Sequence, residues 1–118
     1  MFSFAEDAVV YLHRAPVDFR KQINGLALIV QESLTLDPTQ QALFVFVNRG
    51  ANRVKILWWD KTGFCLWLKR LEKDRFIWPS RHEGDVLKLT GEQLTYLLAG
   101  FDIFRFPPHQ RLFYGAVG

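Results

Sequence analysis

The sequence predicts an α+β fold: a twisted antiparallel β-meander of about five to six strands, with one helix before it and one after it. Three observations carry this. Short apolar, β-branched and aromatic runs alternate with turn-forming clusters between residues 41 and 90. Ile23, Leu26, Ala27, Val30 and Leu34 recur at helical spacing. Thr90-Gly91-Glu92-Gln93 reads as a capping box ahead of a leucine stripe.

The elements follow in order. Ala8 to Leu12 is β-rich and forms a short first strand, and Pro16 follows it closely. Asp18 is placed to cap a turn through Phe19-Arg20-Lys21. Asn24 is a suitable N-cap for a helix over about 25–34. Asp37-Pro38 ends it, because a residue before proline avoids the helical region. Leu43 to Val47 is a continuous apolar strand, and Asn48 to Asn52 is a turn. Arg53–Trp59 and Phe64–Leu71 form a hairpin around Asp60-Lys61-Thr62-Gly63, with Gly63 expected in the left-handed conformation of a bulge. Glu72 to Arg75 turns the chain again, into a strand Phe76-Ile77-Trp78 ended by Pro79. Asp85 to Leu89 is the last strand. Thr90 then caps a helix with Leu94, Leu97 and Leu98 inward and Gly100 just past its end.

Length and composition restrict the rest. The 118 residues fit one domain, assigned to residues 1–102, with 103–118 left as a C-terminal tail. Hydrophobic residues make up 49%, too many for a disordered chain. One cysteine excludes an internal disulfide and an all-cysteine metal site, and His13, His82 and His109 have no second ligand at a binding spacing. Cys65 reads as a small core hydrophobe. No secretory signal or spanning segment is evident, so a soluble cytoplasmic protein with no cofactor is expected.

The net charge of +3 conceals an asymmetry. Residues 41–81 carry nine Lys/Arg against three acids, so +6, and the remainder carries −3. All four tryptophans, Trp58, Trp59, Trp67 and Trp78, lie in the basic segment. Pairing Asp60 with Phe64 sets Trp59 opposite Cys65, Leu57 opposite Trp67 and Lys55 opposite Lys69. The other face then pairs Trp58 with Leu66, Ile56 with Leu68 and Val54 with Arg70. Lys55 facing Lys69 is a like-charge pair, unfavourable unless an anion sits between them. Arg49, Arg53, Lys55, Lys69, Arg70 and Arg75, with Trp58, Trp59 and Trp67, therefore make a candidate nucleic-acid or partner surface. Cations neutralise phosphates and aromatic rings stack on bases. The alternative is that the tryptophans are core and the lysines extend over the sheet edge. The sequence shows no phosphate loop, nucleophile elbow or metalloprotease motif, and its acids are scattered, so no enzyme is expected.

The same residues resemble a known family. Leu43-Phe44-Val45-Phe46, Lys55-Ile56-Leu57-Trp58-Trp59-Asp60, Gly63-Phe64, Lys69-Arg70-Leu71-Glu72 and Phe76-Ile77-Trp78-Pro79 carry the resemblance. Asp18-Phe19-Arg20-Lys21 with Gly25-Leu26, Asp37-Pro38, and Leu89-Thr90 with Gln93-Leu94 and Leu97-Leu98 add to it. The series resembles the TnpB-type, Orf2-like accessory protein of three-gene insertion sequences that also encode a DDE transposase. It runs from about residue 8 to 102, with no firm match beyond Asp102. Aspartate stands at position 74, and glutamine at position 22, where the family often has glycine. The resemblance implies a non-catalytic accessory factor for transposition that contacts the transposase, the element's DNA, or both. The alternative is a small DNA-binding module regulating the element's expression. The transposase of the same element is the expected partner and DNA a second one. No membrane contact is expected, and an uncovered sheet edge would permit a homodimer.

Overall fold

A computed structural model describes residues 5–79 and 84–105. Five strands form one sheet: β1 (Val9–His13), β2 (Leu43–Val47), β3 (Arg53–Asp60), β4 (Gly63–Arg70) and β5 (Val86–Thr90). Helix α1 (Ile23–Glu32) lies between β1 and β2 in sequence, and α2 (Gly91–Leu98) follows β5. The strand order is β4-β3-β2-β1-β5. The α+β class holds, and β2-β3-β4 is the antiparallel meander. One pairing departs from the antiparallel expectation: β1 and β2 run parallel. Twenty-nine residues separate them, enough for the α1 crossover that parallel neighbours require.

Each face of the sheet has its own core. Leu26 and Val30 of α1 bury against Phe44, Phe46 and Leu57. Leu94, Leu97 and Leu98 of α2 bury with Val10, Leu12, Val45, Val47, Val54, Ile56 and Leu89. The helices therefore cover opposite faces. Strand β2 is central and buried on both sides, which is why its run Leu-Phe-Val-Phe-Val does not alternate with polar residues. Ile103 is also buried in the α2-side core, so packing continues past Asp102.

The caps differ in outcome. At α2 the capping box forms: the Gln93 N–H donates to Thr90 Oγ1 at 3.0 Å, and the Thr90 N–H donates to Gln93 Oε1 at 2.9 Å. Gly100, with φ of +100°, ends that helix. At α1 the N-cap is Gln22, in extended conformation and without a side-chain cap, and Asn24 lies inside the helix. A tertiary contact sets this start: Lys55 Nζ donates to the carbonyls of Phe19 and Lys21, just before the helix, at 2.9 and 2.8 Å. The expected Asp18 turn forms, with Asp18 Oδ1 accepting the Arg20 N–H at 2.9 Å.

Two further expectations are corrected. The hairpin pairs Asp60 with Gly63, not with Phe64, so the turn has two central residues. Lys61 takes the positive φ of 50°, and Gly63 does not adopt one. Phe76-Ile77-Trp78 is not a strand. The Phe76 N–H donates to the Ala51 carbonyl at 2.7 Å, and the Trp78 indole N–H donates to the Arg14 carbonyl at 3.1 Å. The segment closes one end of the α2-side core, and its polar groups are tied to that end rather than to a ladder.

Candidate nucleic-acid interface

The hairpin register decides which charges meet. Side chains alternate faces along a strand, so a one-residue slip moves a whole set to the other side. The observed pairs are Arg53 with Arg70, Val54 with Lys69, Lys55 with Leu68, Ile56 with Trp67, Trp58 with Cys65 and Trp59 with Phe64. Lys55 and Lys69 therefore lie on opposite faces, and the expected Lys55–Lys69 pair does not exist.

Neither lysine is available as an open surface cation. Lys55 is 5% exposed. Besides its two carbonyl acceptors, its ammonium lies 4.8 Å from the centre of the Phe19 ring. Burial, with a smaller contribution from Arg53, lowers its pKa below the ordinary lysine value. Lys69 Nζ donates to the carbonyl of Leu98 at 2.9 Å, placing a cation at the C-terminus of α2.

The four predicted arginines are exposed and share one end of the sheet. Arg53 and Arg70 face each other at the mouth of the hairpin. Arg49 sits in the adjoining β2–β3 turn, whose shape is held by Asn48. Asn48 Oδ1 accepts the N–H groups of Asn52 and Arg53, both at 3.0 Å, and Asn48 Nδ2 donates to Asn52 Oδ1 at 2.7 Å. Arg75 is drawn to the same end by two backbone bonds. The Leu71 N–H donates to Asn52 O at 2.8 Å, and the Phe76 N–H to Ala51 O. Lys73, exposed in the same loop, belongs with this group. The sequence pattern marked it only as one member of the basic run. Glu72 pairs with Arg70 at 2.9 Å, an exposed ion pair that contributes little to stability.

The tryptophans do not join this cluster. Trp67 and Trp58 pack against the α2-side core. Trp59 makes an edge-to-face contact with Phe64, with ring centres 5.0 Å apart. Six residue steps along β3 separate Trp59 from Arg53, a span of about 20 Å. A groove of 580 Å³ opens beside Trp58 and Trp59, walled by Ala5, Ala8 and Leu43. The single basic aromatic surface expected from sequence is thus two sites, an arginine end and a tryptophan end. A second cleft, of 560 Å³, adjoins Arg49 and is bounded by Val17, Asp18 and Phe19. Beside it, the hydrogen bonds from Arg20 hold the Asp18 carboxyl at a pKa of about 2.

Residues 8–107 match the family described as IS66 Orf2 like protein. The chain belongs to that family. The match reaches five residues beyond Asp102, further than the sequence motifs extend, and includes the buried Ile103. Among similar proteins are two from Sinorhizobium fredii (strain NBRC 101917 / NGR234). Uncharacterized protein y4hO is 40% identical over 102 residues, covering 86% of this chain and 88% of the relative. Uncharacterized protein y4jC is 38% identical over 87 residues, covering 74% of each. No solved structure gives a significant match. IS66 Orf2-like membership ties the chain to insertion sequences and to an accessory role associated with transposition. No helix among the described residues is long and apolar enough to cross a membrane.

Proposed function

We propose that this protein assists transposition without catalysing it, by holding the element's DNA through phosphate contacts at the arginine end. One observation carries the reading. Arg53 stands directly opposite Arg70, with Arg49 and Arg75 beside them on turns tied down by backbone bonds. Glu72 offsets part of the charge of Arg70 through an exposed contact, and a bridging phosphate would engage both guanidinium groups. Arginine suits this role because its planar fork engages phosphate oxygens in pairs. No helix is needed in a groove, so the contact would be to backbone and largely independent of sequence.

The test is binding of the full chain to terminal-repeat DNA across a salt series. Affinity is expected to fall steeply with salt, and each of Arg49→Ala, Arg53→Ala and Arg75→Ala to reduce the slope by about one. Binding that is absent, or unchanged in the triple variant, rejects the proposal.

The groove beside Trp58 and Trp59 supports a second contact, with the transposase of the same element. Aromatic anchors in a partly apolar recess are suited to protein partners. Co-purification with that transposase should survive high salt and weaken in Trp59→Ala. If Trp59→Ala leaves it unchanged, the groove is not the contact. A regulatory module would instead prefer promoter DNA to terminal repeats in the same assay.

A further inference from the structure

We infer that β4 is a self-pairing edge, and that two copies of this chain join there into one continuous sheet. Strand β4 is outermost and eight residues long. Natural edge strands of this length are normally blunted by proline, by charges or by a covering element. From Gly63 to Leu68 there is neither proline nor charge, and Leu68 is 55% exposed on this edge.

The occupant follows from the strand's own sequence. A two-fold axis normal to the sheet pairs residues only of like face, so the paired residue numbers must share parity. Centring the axis at Leu66 sets Leu66 against its counterpart and Phe64 against Leu68, in both directions. All these residues lie on the α1 face, where Phe64 and Leu66 are only partly covered. The exposed leucine thereby gains an aromatic neighbour. The same register sets Lys69 opposite Gly63 and Arg70 opposite Thr62, which keeps each Lys69 about 20 Å from its counterpart. Moving the centre to Trp67 sets Phe64 against Arg70 and Cys65 against Lys69, a poorer match. Centring at Cys65 instead sets Lys61 against Lys69 and Leu68 against Thr62, so of the three registers the one at Leu66 is the most complementary, apolar at the centre and charged only at the ends. The inference does not rest on the DNA reading: Arg70 meets only Thr62 at the periphery of the seam, and Arg49, Arg53 and Arg75 do not enter it.

The experiment measures association of the full chain by sedimentation equilibrium at micromolar concentrations. Wild type is expected to dimerise. Leu68→Lys, at an exposed position that leaves the monomer fold intact by circular dichroism, is expected to weaken the dimer at least about tenfold. In a Cys65→Ser background, Leu66→Cys should form an intermolecular disulfide on oxidation and Leu68→Cys should not. A monomer at every concentration, or a dimer unaffected by Leu68→Lys, overturns the inference. Preferential cross-linking of Leu68→Cys over Leu66→Cys also overturns it.

Discussion

Lys55 and Lys69 project from neighbouring strands to opposite faces of the sheet, and each ammonium is bonded to main-chain carbonyls. Lys55 holds the approach to α1 through Phe19 and Lys21. Lys69 holds the end of α2 through Leu98. The hairpin β3–β4 thus fastens a helix on each side with a lysine, and the charge open to a polyanion at this end is left to the arginines and Lys73.

Removing the inner of these two fastenings should be costly. Lys55→Met keeps the chain length but strands two shielded carbonyls without a donor. A loss of about 2 kcal/mol is expected in urea unfolding. DNA affinity of the folded variant should stay at the wild-type value, because Lys55 faces no solvent.

Arg53 offers a separation of stability from binding. Arg53→Glu exchanges a like-charge neighbour of Arg70 for an opposite one, and because Glu72 already pairs with Arg70 the gain in stability is a few tenths of a kcal/mol. The same change removes a phosphate contact and adds a repulsive charge. Thermal unfolding should move up while DNA binding weakens. A variant that lost both would show that Arg53 is structural.

Gly91 is expected to resist the usual helix-stabilising change. It opens α2, where alanine is ordinarily preferred. A methyl group there would overlap the carbonyl oxygen of Ala5 and press on Ala8 Cβ at 3.3 Å. That carbonyl already accepts the Ala8 N–H at 3.0 Å. Gly91→Ala should therefore cost about 1–3 kcal/mol, read as a lowered midpoint in urea.

Thr35 is the reverse case. It follows α1 with φ of 56°, a conformation that a β-branched residue adopts only under strain. The Leu36 N–H reaches back to the Val30 carbonyl across it, at 3.0 Å. Thr35 is exposed, so little packing is lost on truncation. Thr35→Gly should stabilise the fold by about 0.5–1 kcal/mol, net of the greater freedom of glycine in the unfolded chain.

Glu92 should leave a signature in the pH dependence. Burial, and then the charge of Glu6, raises its pKa above the ordinary glutamate value, and among the described residues its buried Oε1 has no hydrogen-bond partner. A carboxyl with a raised folded pKa stabilises most below its unfolded value of about 4.3, and that contribution is lost as pH rises through the folded value. Relative to Glu92→Gln, the wild type should therefore lose stability as pH rises above about 4. Parallel unfolding curves for the two proteins across that range would contradict the assignment.

By itself the sequence determined the class, most strand positions and the α2 capping box. These depend on contacts between near neighbours, whose chemistry is visible in the order of residues. It also carried the motifs of the IS66 Orf2-like family. Tertiary structure alone decided the hairpin register, the parallel β1–β2 pairing and the start of α1. A two-residue and a longer turn are nearly equivalent around Asp60-Lys61-Thr62-Gly63, yet they send Lys55 to different neighbours. The choice is made by distant groups: the α1-side core that takes Phe64 and Leu66, the α2-side core that takes Trp67, and the carbonyl of Leu98 that takes the Lys69 ammonium. One residue of register separated Lys55 from Lys69 and Leu57 from Trp67, placing the members of each expected pair on opposite faces of the sheet.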